Sequence, residues 1–387
     1  MSSIRHSTVW KAAPHTKAKI ALLQSYLERW FQILGVSRPS QNLLYIDGFA
    51  GPGEYTNFPT GSPIAALNAA ERAVQLAGSR WIAGNILLVF IDQNADAIDH
   101  LKKVFGRRSD ANKKVKCLSM NEPFTSGIDK ISKDAPKFFT RNNPTFAFVD
   151  PFGPTAVPFS CVQQILSSPC SEMLLNFDAD GVDRIRAAGH NAKADVLLSM
   201  IYGDDSWRHL QISEDPHERC RLYTELYKKR LRSIDGVKYV FAFEMRGKAD
   251  RISYYLIFAT RHPLGLEKMK ESMRKIRQAG EYRFSDAHVG QLAMFEPDAD
   301  AESRRFSEIM LAKFKGQSVE QQVLNDYALN ESPFDNANAM LRFLEMERLI
   351  EVVRKRGSRK SSYNQDAVEC VRFLPPPGRQ ETMQWSA

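Results

Sequence analysis

Apolar residues fall along this chain in two rhythms. The first is the short, near-continuous run: Leu43–Asp47, Ile86–Asp92, Thr145–Asp150 and Glu172–Phe177. Runs of that kind predict strands buried on both faces of a sheet. The second is a spacing of three and four. Ile20, Leu23, Leu27, Trp30, Phe31 and Leu34 repeat in that way and predict an amphipathic helix over 16–34. Helices are also expected from Ser62 to about Gly78, over 95–105, weakly over 127–139, and over 160–166. Ser62 is placed to cap its helix and Pro63 to open it. Val115–Leu118 reads as a short third strand. Residues 181–235 carry helical patterning without a strand, which suits an insertion over the strand ends. Val237–Glu244 and Arg251–Thr260 form a hairpin, and a helix over 264–279 closes the domain. Strands alternating with helices and ending in a hairpin predict an α/β fold, Rossmann-like, with seven strands of which one is antiparallel.

Residues 281–301 break the pattern and read as a linker. Beyond them, helices over 302–315, 318–329 and 335–347 precede two strands, 349–353 and 368–373, on either side of a polar, basic stretch. That order outlines a winged helix over 302–374. Residues 1–14 read as an irregular arm and 375–387 as a flexible tail. The expected organisation is therefore a catalytic-sized domain over 1–280, a linker, and a small C-terminal domain.

Composition narrows the class. With 387 residues, 43% hydrophobic and 25% charged, the chain has enough apolar matter for a large core. No apolar run has the length of a membrane span, so no membrane partner is expected. Five scattered cysteines, none in a CxxC pair, argue against a zinc site and for a reduced, cytoplasmic setting. A net charge of +8 is compatible with a polyanionic partner.

The candidate chemistry sits at the strand ends. Asp47, Asp92 and Asp150 each close an apolar run, where α/β sheets bind ligands. Asp47 leads into a loop with Gly48, Gly51 and Gly53. The loop fits neither GxxxxGK[ST] nor GxGxxG, so neither a phosphate-cradling loop nor a dinucleotide fingerprint is supported. The plain alternative for each acid is a helix cap.

The pattern resembles motif I of class I S-adenosyl-L-methionine (SAM)-dependent methyltransferases, and Asp150-Pro151-Phe152 resembles the acid-Pro-Pro-aromatic turn of those that methylate amino groups. One proline is present where that motif has two. HTKAKI (15–20), YIDGFAGPGEY (45–55), GSPIAAL (61–67), FID (90–92) and VDPFGP (149–154) together resemble the three-Cys-motif partner family, and more distantly the adenine-N6 methyltransferases of 23S ribosomal RNA. The resemblance implies a seven-stranded class I methyltransferase sheet with a C-terminal winged helix. It implies SAM as cofactor, shaped by Asp47, Gly48, Gly51 and Gly53, with Ser62 on the methionine part, Asp92 on the ribose and Asn121 near the adenine. Asp150, Pro151 and Phe152 would hold the acceptor, a nucleobase nitrogen in DNA or RNA. His15 and Lys19 would lie where relatives contact cofactor or substrate. A neighbouring protein with three cysteines is an implied partner. The wing, with Arg354, Lys355, Arg356, Arg359 and Lys360, could neutralise phosphates. Two other readings stay open: a non-catalytic binding protein on the same fold, and a methyltransferase for a small molecule or protein.

Overall fold

The apolar runs become the middle of one large sheet. A computed structural model describes residues 8–108, 112–136, 143–189, 192–247, 251–276, 283–285 and 299–374, in two compact units, Met1–Ala293 and Met294–Ala387. In chain order the first unit holds α1 (Pro14–Gly35), β1 (Leu43–Asp47), α2 (Ser62–Ala77), β2 (Ile86–Asp92), α3 (Ala95–Gly106), β3 (Val115–Asn121), α4 (Phe124–Asp134) and β4 (Thr145–Val149). It continues with α5 (Phe159–Leu166), β5 (Ser171–Phe177), α6 (Ala179–Ala187), α7 (Ala192–Tyr202), α8 (Pro216–Arg232), β6 (Tyr239–Arg246), β7 (Ile252–Thr260), α9 (Pro263–Ile276) and β8 (Arg283–Ser285).

The strands lie in the order β3-β2-β1-β4-β5-β7-β6-β8. The first five run parallel, and β7 is antiparallel to both β5 and β6. The sheet has eight strands where seven are expected. The eighth, β8, pairs parallel with Glu244–Arg246 of β6 and lies inside the span read as a linker. Three residues are too few to show a period, so the backbone pairing had no sequence signature. Most of the rest of that linker, and the tail from 375, lie outside the described residues.

Both faces of the parallel strands are covered. On one, Leu44, Ile46, Val89, Ile91, Ala147 and Val149 share a core with Ile128, Val162 and Ile165 of α4 and α5. Val182, Leu198, Tyr202, Tyr223 and Tyr227 of α6–α8 join the same core. The helical insertion is thus a layer on the sheet face, where a cover over the strand ends is expected; its apolar stripe is the reason, since it must be buried against something. Tyr26 and Trp30 of α1 pack on the other face, with ring centroids 5.3 and 6.0 Å from that of Phe146. Each such buried aromatic contributes roughly 1.5–3 kcal/mol. These contacts fix α1 beside the site.

Strand order reverses between β1 and β4, which pair with Asp47 opposite Phe148. Helices leave the two strands in different directions there, and the carboxyl ends are left with a crevice between them.

The second unit contains α10 (Ala299–Phe314), β9 (Ser318–Glu320), α11 (Gln321–Glu331), α12 (Asn338–Met346), β10 (Ile350–Arg354) and β11 (Val368–Phe373). Its sheet has three strands, β10-β11-β9, rather than the two of the expected hairpin. Ser318–Glu320, expected to open a helix, pairs instead with Cys370–Arg372. Met310, Leu324, Met340, Leu341, Leu344, Val368 and Val371 form its core.

Candidate active site

The crevice is a cavity of about 190 Å³ between the glycine loop, the N-terminal helix and the end of β4. Of the residues expected at a site, His15, Lys19, Gly51, Gly53, Ser62, Asp150, Pro151 and Phe152 all line it. Asp47, Gly48, Asp92 and Asn121 are not in its lining.

Asp150 is the best-held group. Lys19 Nζ lies 2.6 Å from its Oδ2 and 2.7 Å from its Oδ1. Asn176 Nδ2 donates to the same Oδ1 at 2.7 Å. Lys19 is buried, at 6% exposure, and its ammonium sits 5.2 Å from the centre of the Tyr254 ring. A buried ammonium needs a counter-ion, and here that counter-ion is Asp150. Asn176 and Tyr254 were not singled out in the sequence. Polar residues inside the runs EMLLNF and ISYYLIF were the available signal.

Phe152 follows on an irregular turn and is 85% exposed. Its ring meets that of Trp10 edge-on at 6.3 Å, and Trp10 meets Tyr55 likewise at 5.9 Å. Trp10 is held by its backbone: Thr56 N–H donates to the Trp10 carbonyl at 3.0 Å. Asn57 adds two bonds to Ala12, accepting its amide at 2.7 Å and donating to its carbonyl at 3.1 Å.

The glycines divide by what they touch. A Cβ on Gly48 would strike the Phe124 ring, and one on Gly53 would come within 2.6 Å of Leu101. One on Gly61 would meet the Gly53 carbonyl at 2.5 Å, the oxygen that already accepts the Gly61 amide. Gly51, with φ of +62°, is the glycine of this group whose Cβ would clash with nothing closer than 3.9 Å. Gly48, Gly53 and Gly61 therefore serve close packing within the protein, and Gly51 and Gly53, both at positive φ, form the left-handed turn.

Asp92 braces that turn. Its Oδ2 accepts Gly51 N–H at 2.9 Å and its Oδ1 accepts Asn94 N–H at 2.8 Å. It does not cap α3; Asn94 does, accepting from Asp96 and Ala97. Asn121 is the last residue of β3 and donates Nδ2 to the Asp92 carbonyl at 3.1 Å.

Gly61, rather than Ser62, stands at the cap position of α2, and Ser62 with Pro63 begins the helix. The Ser62 hydroxyl lies near Asp47 instead. Asp47 is wholly buried; its Oδ2 receives a long 3.3 Å bond from the Tyr45 hydroxyl and its Oδ1 has no hydrogen-bond partner among the described residues. Burial pushes its pKa up to about 7, with the charge of Asp150 adding to the rise, while Ser62 and the Phe49 amide pull the other way. A buried carboxylate oxygen without a donor fits a ligand that brings a cation or an N–H. Asp47 reaches the cavity through Ser62, which lines it where Asp47 does not.

In the second unit the basic stretch splits. Arg354 makes a two-pronged pair with Glu345, 2.7 Å on each side, and the Tyr363 hydroxyl donates to the same carboxylate at 2.5 Å. Its guanidinium stacks 5.1 Å over the Tyr363 ring. Lys355 donates to the Gln365 carbonyl at 3.2 Å. Arg356, Arg359 and Lys360 are exposed and have no carboxylate within ion-pair distance among the described residues. Arg354 is committed to the fold, and those three are available to a polyanion.

Comparison with known proteins adds little. No family model and no curated protein matches the chain. A protein from Corynebacterium glutamicum is similar over 60% of this chain and 79% of its own, at 14% identity and a TM-score of 0.30. A SAM-dependent methyltransferase from Agrobacterium tumefaciens is similar over 67% and 64%, at 13% identity and a TM-score of 0.29. One from Methanosarcina mazei is similar over 58% and 93%, at 13% and 0.26. Likenesses this slight carry no weight beside the chain's own side chains. Among the described residues no group of acids, histidines and cysteines could hold a metal ion, and no helix is long and apolar enough to cross a membrane.

Proposed function

We propose that this protein is a SAM-dependent methyltransferase whose acceptor is a nucleobase nitrogen of DNA or RNA. The observation that carries the reading is one cavity holding the open glycine turn, Ser62 and the Asp150-Pro151-Phe152 turn together. Strand order supports it: a five-stranded parallel half followed by an antiparallel hairpin suits the class I methyltransferase fold that the motifs resemble.

The cofactor supplies an electrophilic methyl group on a sulfonium. Gly51 and Ser62 would hold its amino-acid end, with the carboxylate of Asp47 behind Ser62, and Asp92 keeps the turn in shape. Asp150, fixed by Lys19 and Asn176, would accept an N–H of the acceptor and orient its nitrogen lone pair. Phe152, exposed, would stack on the ring of a base out of its helix. Transfer needs positioning more than proton chemistry, so a rigidly held Asp150 and a shielded cavity supply most of the effect. In the second unit, helix, strand, two helices and a hairpin suit a winged helix, with Arg356, Arg359 and Lys360 contributing sequence-independent affinity.

Methyl transfer from isotopically labelled SAM to pooled DNA and RNA tests the reading. Label in one pool, lost in Asp150→Ala with SAM binding kept, is the expected result. No SAM binding by the wild type would overturn it.

One observation favours a second reading, a binding protein that has lost catalysis. Both oxygens of Asp150 already face Lys19, so an acceptor must share the carboxylate. SAM binding without transfer to any acceptor would support that alternative.

A further inference from the structure

The larger described cavity lies elsewhere. It encloses about 380 Å³ at the amino ends of β4 and β5, beyond Pro144 and Ser171, a strand length from the glycine loop. That volume is in the range of small-molecule sites, which combine mainly apolar walls with a few polar groups. Trp30, Ile33 and Leu34 of α1 and Leu264 of α9 supply the walls.

The polar groups are unevenly satisfied. Glu172 is closed off: Tyr26 donates to its Oε2 at 2.6 Å and Thr260 to its Oε1 at 2.7 Å. Burial raises its pKa, against the lowering by its hydrogen bonds from Tyr26 and Thr260. Lys268 is paired with Glu271. Arg261 is different. It spends two of its N–H groups on neutral oxygens, the Ser171 hydroxyl at 3.2 Å and the Asp235 carbonyl at 2.7 Å. A guanidinium has five N–H donors, so the others are unspent, and desolvation lowers its pKa. Arg38, exposed at the rim, has no ion pair among the described residues. Two cations with no carboxylate at ion-pair distance among the described residues, Arg261 feeling the charge of Asp235 only from further off, are complementary to a ligand that is apolar at one end and anionic at the other.

We propose that this cavity is a second binding site, for a small organic anion: an aromatic or aliphatic body against Trp30, Ile33 and Leu264, and a carboxylate, sulfonate or phosphate on Arg261 and Arg38. It is separate from the Asp150 site and does not depend on the function proposed there.

The test uses the full-length protein and 8-anilinonaphthalene-1-sulfonate, an aromatic anion whose fluorescence rises on binding. One saturable site is expected. Arg38→Gln, on an exposed side chain that cannot unfold the protein, should weaken it about twofold, and Arg38→Gln with Arg261→Gln at least fivefold. Ile33→Trp, which fills the wall, should abolish it. S-adenosylhomocysteine should not displace the probe. No saturable binding to the wild type, undiminished affinity in the double variant, or displacement by S-adenosylhomocysteine would each overturn the assignment.

Discussion

Lys19 Nζ and the Asp150 carboxylate meet at 2.6 Å, joining the N-terminal helix to the end of the fourth strand. The two are 131 positions apart, and the contact makes α1 part of the site rather than an outer wrapping. Lys19→Met would leave Asp150 without its cation. Turnover should fall at least tenfold with SAM affinity within about twofold, because Asp150 is no longer held in place for the acceptor. Lys19→Arg should recover part of the rate. Steady-state kinetics beside calorimetric SAM titration check both; equal loss of SAM binding would place Lys19 with the cofactor instead.

Asp47 gives the site a pH dependence. Its pKa in the folded chain is about 7, well above the ordinary carboxylate value, through burial first. An ammonium held at Ser62 favours the ionised form of the carboxylate behind it. SAM affinity should therefore fall as pH drops below about 7, approaching tenfold per pH unit, and binding should release a proton. Calorimetry in two buffers of different ionisation enthalpy measures that proton directly. Asp47→Asn should remove the pH dependence.

The same shift has a consequence for stability that needs no ligand. A raised folded-state pKa means that the contribution of Asp47 to stability is fully present below its unfolded-state value and is lost as pH rises toward 7. At pH 8 Asp47→Asn should unfold at a higher temperature than the wild type, by an amount worth roughly 2–4 kcal/mol. Near pH 4 the two should converge. Thermal melts at both pH values decide it.

Asp92→Ala removes the acceptor of the Gly51 amide. The turn then loses its brace, and SAM affinity should drop at least tenfold while the fold persists. Asp92→Asn, which keeps an acceptor oxygen, should lose less. Direct titration distinguishes the two.

The basic stretch of the second unit should separate by residue. Replacing Arg356, Arg359 and Lys360 with Gln should leave stability unchanged and flatten the salt dependence of binding to any duplex, by about one power of salt for each phosphate no longer neutralised. Arg354→Ala should do the opposite. It strands Glu345, whose pKa Arg354 holds below the usual value, so melting temperature should fall while salt sensitivity is kept.

Much of this arrangement was legible in the chain. The parallel strands announce themselves as apolar runs, because burial on both faces leaves no polar positions. Asp47, Asp92 and Asp150 were found by their place at the ends of those runs. Their pairings were not: Lys19 enters the sequence reading only through the resemblance, as a contact to cofactor or substrate and not as the counter-ion of Asp150. Lys19 sits on a helix where a lysine is ordinarily solvated, and only the packing of Tyr26 and Trp30 against the sheet carries its ammonium to Asp150. Asn176 is one polar residue in a strand, with nothing to mark it until β4 and β5 pair. Arg354 read as one of five equivalent cations, and only the fold sets Glu345 against it. β8 was invisible because three residues cannot express a period.

Residues 54–60 close on themselves at the base, where the Gly53 carbonyl takes the Gly61 amide at 2.7 Å. The loop is tied on its far side as well, through Thr56 and Asn57 to Trp10 and Ala12 and through Glu54 to His100. It is a clasp: one segment shuts the turn before Ser62 and carries the arm that sets Trp10 beside the cavity. A change in its length would therefore shift the rim at Trp10 even while the Gly53–Gly61 bond keeps the floor in place.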